Sequence, residues 1–320
     1  MESDIFLCPH CKTNLTTDHD KVLCRECSHL YGFIRNDTLI FHETSDKVGF
    51  FDKQATSRLS EKYLDYSYKK FKDSLDSTEL YNMDLLNKKV GITKKFWWEK
   101  HLGKIKNSSI LEVGCGVNYI VPYWLDSGNN VTAFDICEES VFLLKDILKK
   151  INLYNDSTTL FVGDAENIFI DKKYDLININ NVLHHIKNKK EVLIQLKNVL
   201  KDTGKIILVE PNYYYPFRWI IETDFLKPLN FFKSYFVKND LIEKDEKAVV
   251  FSKLKDTIHE AGLKIDVNLK DINYLGYSTI YFIDSSKTLP RLIYFFDKYL
   301  LSKVLPKIIA PFEYLILSKN

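Results

Sequence analysis

Four cysteines near the N-terminus are the first residues whose types and spacing could support chemistry. Cys8 and Cys11 stand in the stretch CPHC, and Cys24 and Cys27 stand in the stretch CREC, which gives the pattern C-x2-C-x12-C-x2-C. A two-residue gap directs both thiolates of a pair at one ion, and two such pairs supply the four sulfur ligands that tetrahedral zinc prefers. The spacing therefore predicts a structural zinc ion bound by these four cysteines.

The segment around these cysteines, residues 1–42, is predicted to fold as a small zinc ribbon, with LYGFIRNDTLIFH as its closing strands. About 40 residues bury little apolar surface, so a bound metal would stabilise them. Two alternatives stay open: His10 or His29 could replace one thiolate, or the cysteines could be reduced thiols or a redox couple. The segment holds four Lys/Arg and six Asp/Glu. Because phosphate binding needs a positive surface, the ribbon does not favour RNA as a partner.

A glycine-containing turn forms the second group of residues. In ILEVGCGVNYI, residues 110–120, Glu112 is followed by Gly114, Gly116 and Asn118 in the pattern E-x-G-x-G-x-N. Glycine lets the backbone approach a ligand that a β-carbon would block, and Asn tolerates the left-handed conformation where a third glycine often stands. Such a turn after a strand is typical of sites for nucleotide-like ligands.

The elements that must position this turn alternate between strand and helix patterns from residue 108 onward. SILEVGC, NVTAFDI, TTLFVGDA, YDLININNVL and KIILVEPN indicate strands, while EESVFLLKDILKKI and KEVLIQLKNVLKDTG indicate helices, the second capped by Gly204. This order predicts an α/β fold with a doubly wound, mostly parallel sheet. Ligands bind such sheets at the carboxyl ends of the strands, where Asp135 could bind both ribose hydroxyls and Asp164-Ala165 could contact an adenine edge. An NAD-binding fold would share the glycine turn and Asp135.

Together these stretches resemble the class I S-adenosylmethionine-dependent methyltransferases, specifically the group called type 11. The resemblance covers Ile110 to about Asn212 and rests on LEVGCG, VTAFDI, GDAENI, YDLININNVLHHI and LKDTGKIILVEPN. It implies a seven-stranded, Rossmann-like sheet that binds S-adenosylmethionine. The N-terminal segment also resembles the zinc ribbons fused to some methyltransferases, including bacterial enzymes that methylate guanine in ribosomal RNA, so RNA methylation is the main alternative.

The resemblance implies a role for each matching position of the cofactor site. The glycine loop, oriented by Glu112, would line the methionine half of the cofactor, and Asp135 would bind the ribose hydroxyls. Ile136 would pack on the adenine, the Asp-Ala pair after the third strand would contact its edge, and the backbone of Asn180 would face the methionine amino group. The implied cofactor-binding residues are Glu112, Gly114, Cys115, Gly116, Asn118, Asp135, Ile136, Asp164, Ala165 and Asn180.

Two adjacent histidines, His184 and His185 in VLHHI, follow the fourth strand at the mouth of the predicted site. An imidazole there can take a proton near neutral pH. The resemblance to O-methyltransferases implies a histidine base in this segment, with His184 as the nearer match; a structural role for one of them is the alternative. Glu210 in VEPN could bind substrate or hold structure. The chain has no D/N-P-P-Y motif and no Pro-Cys nucleophile after the fourth strand, which argues against methylation of exocyclic amines and of cytosine C5.

The composition of the chain and its remaining segments limit the possible functions and suggest the domain boundaries. Its 320 residues, 45% apolar content and net charge of +2 are typical of a globular protein, and the charged start predicts a cytoplasmic location. We expect a ribbon over 1–42, a helical linker or cap over 43–105 and a methyltransferase domain over 106–320, with an aromatic insertion at about 272–310. The basic stretch 287–310 could be a lid, a dimer contact or a peripheral membrane contact. A small-molecule, glycan or lipid-linked acceptor is expected rather than nucleic acid, and a non-catalytic cofactor-binding adaptor is a further alternative.

Overall fold

A computed structural model describes residues 5–41, 97–116, 120–168, 170–215, 249–270, 297–306, 309–310 and 312–320. Their strands are β1 (Thr16–Asp18), β2 (Lys21–Leu23), β3 (Leu30–Arg35), β4 (Thr38–Phe41), β5 (Ser109–Val113), β6 (Asn130–Asp135), β7 (Thr158–Val162), β8 (Tyr174–Asn180), β9 (Leu200–Pro211), β10 (Leu263–Lys270) and β11 (Phe312–Lys319). The α-helices are α1 (Glu99–Leu102), α2 (Ile120–Asp126), α3 (Glu138–Lys150), α4 (Lys189–Val199), α5 (Phe251–Glu260) and α6 (Ser302–Val304).

These strands form one sheet in the order β1-β2-β3-β4-β7-β6-β5-β8-β9-β11-β10. The strands from β5 to β9 run parallel, and β11 and β10 add an antiparallel end. The predicted doubly wound, mostly parallel sheet is therefore confirmed. The predicted count of seven strands is too low for the whole sheet, which has eleven described strands. The difference arises because the four ribbon strands continue the sheet instead of forming a separate one.

The ribbon joins the sheet through a parallel pairing of β4 with β7, in which Leu39 lies opposite Phe161 and Ile40 opposite Val162. A buried lysine reinforces the junction. Lys145 of α3 is 3% exposed, and its Nζ donates hydrogen bonds to the backbone oxygens of Asn36 at 2.5 Å and Asp37 at 2.8 Å. Because this pairing covers the edge of β7, the ribbon protects a strand that would otherwise present unpaired backbone groups.

Helices cover both faces of the parallel strands. On one face, Trp124 of α2 and Leu144 of α3 belong to one buried apolar cluster. On the other, Leu193 of α4 and Ile258 of α5 belong to a second cluster. Each helix thus buries an apolar stripe against the sheet, which leaves the carboxyl ends of the parallel strands as the natural place for a ligand.

The helix α4 ends earlier than the sequence predicts. A cap at Gly204 is wrong, because the helix stops at Val199 and Leu200 already has the extended backbone of β9, with φ −82° and ψ 139°. Leu200 is buried and pairs with Tyr174 of β8. Burial of this side chain in the sheet therefore ends the helix. The other predicted elements after β9 are confirmed: a helix over α5, a left-handed Gly262 with φ 74°, and the strands β10 and β11.

Several predicted features lie wholly or partly outside the described residues. The segment 42–96 and the residues 216–248 and 271–296 are among them, as is Asn118 of the glycine turn. The end of the predicted linker is described, and there Trp98, next to α1, packs on Trp124 with ring centroids 5.2 Å apart. Within the described part of the chain, no helix combines the length and apolar character needed to cross a membrane.

Candidate active site

The glycine loop follows β5 and has the backbone conformation that its glycines permit. Gly114 has φ 67° and Gly116 has φ 46°. A β-carbon on Gly114 would lie 2.3 Å from Val182 Cγ2, whereas one on Gly116 would meet no described atom within 4 Å. Gly114 therefore lets the loop pack against the segment after β8, whereas none of the described residues would contact a side chain at Gly116. Cys115 between them is buried, and burial raises the pKa of its thiol well above the ordinary value, so it is not a nucleophile.

Asp135 holds this loop at the carboxyl end of β6. Its Oδ2 accepts a hydrogen bond from the Gly116 N–H at 2.8 Å, and its Oδ1 accepts one from the Cys137 N–H at 2.9 Å. Each carboxylate oxygen has further acceptor capacity. The half-buried Asp135 can therefore accept two neighbouring hydroxyls, as the expected ribose contact requires. Ile136, also half-buried, follows it directly.

Asp164 and Ala165 lie beside this carboxylate because the end of β7 is bonded to the end of β6. The Gly163 N–H donates to the Asp135 backbone oxygen at 2.9 Å. Asp164 Oδ1 accepts the Glu166 N–H at 2.9 Å, which forms a tight turn, and Ala165 packs on the core. The structure thus brings the expected ribose and adenine residues to one corner of the sheet.

Asn180, the last residue of β8, offers an acceptor that nothing in the described chain uses. Its Oδ1 is buried and has no hydrogen-bond partner among the described residues. A buried amide oxygen without a donor costs free energy unless a ligand or water supplies one. This acceptor fits a ligand that carries an ammonium group, such as the methionine end of S-adenosylmethionine.

Glu112 is a buried acid beneath the glycine loop. Its two oxygens each lie 2.9 Å from Asn178 Nδ2, and Trp124 Nε1 donates to Oε2 at 3.2 Å. The hydrogen bonds of Glu112 therefore link β5, β8 and α2. Among the described residues, the carboxylate that accepts a hydrogen bond from the loop backbone is that of Asp135. Burial raises the pKa of Glu112 to about 8, although the bonds from Asn178 and Trp124 act in the opposite direction.

Replacing Glu112 with Gln is expected to flatten the fall in stability between about pH 4.5 and pH 8. Unfolded Glu112 ionises near its ordinary pKa of 4.5, but the folded protein holds the proton up to about pH 8. The contribution of Glu112 to stability is therefore fully present below pH 4.5 and is lost progressively up to about pH 8. Urea unfolding of wild type and Glu112→Gln at pH 5, 6.5 and 8 measures this loss. Parallel curves for the two proteins would contradict the assignment.

A buried carboxylate holds the first of the two histidines. His184 lies in a 3₁₀ helix, Leu183–His185, directly after β8. Glu210 of β9 is 1% exposed, and its Oε1 accepts the N–H groups of Leu183 at 2.7 Å and Val182 at 3.2 Å. Its Oε2 accepts the His184 N–H at 3.2 Å and lies 2.8 Å from His184 Nδ1.

This contact decides what His184 can do. A carboxylate only accepts, so Nδ1 of a neutral ring would donate to it and leave Nε2 as the proton acceptor. Because Val182 touches Gly114, the 3₁₀ helix also lies against the cofactor loop. The His185 ring lies beside that of His184, with centroids 3.9 Å apart. The arrangement is a carboxylate-oriented base next to the loop predicted to bind the methionine half of the cofactor.

The four ribbon cysteines converge on one point. Their Sγ atoms all lie within 4.8 Å of one another, and those of Cys8 and Cys27 are 3.8 Å apart. A zinc ion with Zn–S bonds of about 2.3 Å requires sulfurs about 3.8 Å apart. The described cluster consists of cysteines, and neither His10 nor His29 belongs to it.

The two cysteine turns have the same backbone design. The residue after each second cysteine is left-handed, with φ 58° at Lys12 and φ 56° at Ser28. Burial opposes ionisation of Cys8, but the Cys11 N–H at 3.3 Å and the Tyr31 hydroxyl at 3.2 Å stabilise its thiolate, so the pKa of Cys8 is lowered to about 6. The donor set and its geometry fit zinc.

Two residues that bind Glu112 beneath the glycine loop were not predicted from the sequence. Asn178 lies in the middle of the apolar strand LININ, and Trp124 lies in helix α2. A polar side chain in a strand buried on both faces needs a partner, and that rule would have pointed to Asn178. Trp124 carries no comparable signal.

Comparison with known proteins agrees with this geometry. Residues 111–208 match the family described as a methyltransferase domain. A ubiquinone biosynthesis O-methyltransferase from Rickettsia bellii is 26% identical over 188 residues, covering 53% of this chain and 76% of that protein. A malonyl-[acyl-carrier protein] O-methyltransferase from Hamiltonella defensa is 29% identical over 106 residues, which is 33% of this chain and only 38% of that protein.

A solved structure shows the same fold. The S-adenosylmethionine-dependent methyltransferase from Clostridium acetobutylicum superposes with a TM-score of 0.52 at 16% identity, covering 79% of this chain and 99% of the other. The expected Rossmann-like sheet and methyltransferase class are thus confirmed, and the family match supports S-adenosylmethionine as the cofactor. The chain carries an S-adenosylmethionine-dependent methyltransferase domain at residues 111–208.

Proposed function

We propose that this methyltransferase domain transfers the methyl group to a hydroxyl oxygen of a small-molecule, glycan or lipid-linked acceptor. The observation that carries the proposal is the contact of 2.8 Å between Glu210 Oε2 and His184 Nδ1 beside the glycine loop. Methylation of a hydroxyl requires removal of its proton, and a carboxylate-oriented imidazole is suited to that step. A methyl acceptor without an acidic proton would not need such a base.

S-adenosylmethionine, when bound, supplies an electrophilic methyl carbon on a positively charged sulfur. Nε2 of His184 would take the proton of the acceptor hydroxyl and so make its oxygen a better nucleophile toward the methyl group that S-adenosylmethionine would supply. Glu210 stabilises the imidazolium that results, and the proton then leaves to water. Positioning of the two reactants by the glycine loop and Asp135 contributes most of the remaining rate enhancement.

The surface beside the site supports an acceptor with apolar or aromatic parts. Tyr213 and Tyr214 follow β9 and are 55% and 48% exposed. Asn212, just before them, donates from Nδ2 to the Ala310 backbone oxygen at 2.8 Å, which brings the C-terminal segment to this end of the sheet. The relatives are a ubiquinone biosynthesis O-methyltransferase and a malonyl-[acyl-carrier protein] O-methyltransferase, whose acceptors belong to ubiquinone biosynthesis or are linked to a carrier protein. For this chain such acceptors are part of the proposal.

Labelled cofactor tests the acceptor class. Purified protein is incubated with S-adenosylmethionine carrying a labelled methyl group and with an extract of the cells that produce it. The extract is then separated into RNA, protein, lipid and small-molecule fractions, with heat-inactivated protein as the control. We expect label in the lipid or small-molecule fraction, bound to oxygen. Label confined to RNA would favour the alternative function, methylation of an RNA base with the ribbon as recognition element.

We also propose that the four ribbon cysteines hold one structural zinc ion. The proposal is supported by the mutual distances of the sulfurs and by the paired left-handed turns. Because β4 pairs with β7 and α3 contacts the ribbon through Lys145, the metal would stabilise one edge of the methyltransferase sheet as well as the ribbon. In this account the ribbon is part of the catalytic fold.

Metal analysis of the purified protein is expected to give about one zinc per chain in wild type and almost none in Cys24→Ser. Loss of one thiolate lowers zinc affinity strongly, since the ribbon has little core of its own. Cys137→Ser removes a buried cysteine outside the cluster and serves as the matched control that should keep its zinc. Wild-type protein that is free of metal yet fully folded would contradict the zinc proposal.

A further inference from the structure

We propose that Lys270 and Glu313 extend the Glu210–His184 pair into a row of charges that sets the basicity of His184. The catalytic meaning of this row rests on the proposed function, in which His184 is the base. Glu313 and Lys270 would be positioning residues, which act on the reaction through Glu210 and do not touch substrate.

The row follows the pairing of three adjacent strands. Glu313 of β11 lies directly opposite Glu210 of β9, and Lys270 of β10 lies directly opposite Glu313. Residues opposite each other on antiparallel strands have β-carbons about 4.5–5.5 Å apart. Lys270 Nζ lies 2.8 Å from Glu313 Oε1, in an ion pair whose carboxylate side chain is 3% exposed.

All four groups lie on the same face of the sheet. Along β9 and β11, side chains alternate between the two buried clusters, and Leu208 and Leu315 belong to the cluster that also contains Leu183 of the 3₁₀ helix. Glu210 and Glu313 are two residues from these leucines, so their side chains point to that same face. The face is covered by α4, α5 and the 3₁₀ helix that carries His184.

The charges of the row balance when His184 is protonated. Lys270 contributes one positive charge and the two glutamates contribute two negative charges, so an imidazolium at His184 makes the row neutral. Burial raises the pKa of Glu313, while Lys270 and Lys255 of α5 oppose that rise. His185 is the remaining titratable neighbour in the 3₁₀ helix. In a buried environment these charges interact more strongly than in water, so the second carboxylate favours the protonated form of His184.

Removing the charge of Glu313 and removing the charge of Lys270 should shift the titration midpoint of His184 in opposite directions. NMR titration of histidine-labelled protein gives the midpoint pH of each imidazole, and His184→Gln identifies the relevant signal. Glu313→Gln removes a negative charge and should lower the midpoint of His184 by about 0.5 to 1 pH unit. Lys270→Met removes a positive charge from a more exposed group and should raise it by a smaller amount. The acid limb of the kcat/KM profile should move with each midpoint.

A matched ion pair on the same strands provides the control. Lys205 of β9 and Asp266 of β10 are 2.8 Å apart at the far end of these strands, and Asp266→Asn should leave the His184 midpoint unchanged. If the His184 midpoint stays fixed in both test variants, or moves in the same direction in both, the proposed effect of Lys270 and Glu313 on His184 is wrong. Midpoints that move as expected while His184→Gln retains full activity would support the row and contradict the proposed function, so the two claims fail separately.

Discussion

Replacing His184 with Ala should lower kcat by about 10²- to 10⁴-fold, the range expected when a general base is lost. The affinity for S-adenosylmethionine should stay within about threefold of wild type, because the imidazole serves the acceptor and not the cofactor. Steady-state kinetics with the identified acceptor measures kcat, and calorimetry measures cofactor binding.

The neighbouring residues separate this role from a structural one. His185→Ala changes the adjacent ring without removing the Glu210 contact, and should reduce kcat far less. Glu210→Gln should reduce kcat and also destabilise the fold, since Glu210 anchors three backbone N–H groups at the start of the 3₁₀ helix. Equal kcat for His184→Ala and wild type would exclude His184 as the base.

Replacing Asp135 with Ala should weaken binding of both S-adenosylmethionine and its product, S-adenosylhomocysteine, by about 100-fold or more. The carboxylate can accept two ribose hydroxyls, each worth about 1.5 kcal/mol or more when the acceptor is charged. It also fixes the glycine loop through the Gly116 N–H at 2.8 Å. Because cofactor and product share the ribose, both affinities should fall together, as calorimetry can show.

Asp175→Asn is the matched control for this variant. Asp175 also accepts a hydrogen bond from a backbone N–H, that of Ser109 at 2.9 Å. It lies at the start of β8, away from the carboxyl ends of the strands, and forms an ion pair with Lys201. This variant should bind the cofactor normally. Unchanged affinity in Asp135→Ala would place the cofactor elsewhere, and binding of a nicotinamide cofactor in place of S-adenosylmethionine would overturn the assignment.

The sequence predicts the centre of the fold well because its signals are local. Apolar runs followed by Gly114, Asp135 and Asp164 mark strand ends, and carboxyl ends of parallel strands meet at one edge of a sheet. The cysteine pairs are equally local, because a two-residue gap brings both sulfurs of a pair to one point. These features need no knowledge of distant contacts.

The features that escape prediction depend on contacts between distant segments. The pairing of Leu39 with Phe161 joins strands that lie more than a hundred residues apart. Lys145 sits in an amphipathic helix and looks like a surface residue, yet its ammonium group is buried on the carbonyl oxygens of a ribbon turn. Glu210 likewise reads as a strand residue until its four contacts with the 3₁₀ helix are seen.

The integration of the ribbon changes what its metal should do. As a separate module, the ribbon would affect substrate recognition alone. As the edge of the sheet, next to the strand that leads to Asp164, it also supports the adenine side of the cofactor site. Zinc therefore belongs with the determinants of stability for the methyltransferase domain in this account.

An experimental structure with S-adenosylhomocysteine bound tests the proposed cofactor site and the proposed base, His184, most directly. The ribose hydroxyls should contact Asp135, the adenine edge should contact Asp164 and Ala165, and the amino group of the ligand should contact Asn180. The sulfur should face a cavity into which His184 Nε2 points. A ligand bound elsewhere, or a His184 ring turned away from the sulfur with Nδ1 released from Glu210, would contradict the account.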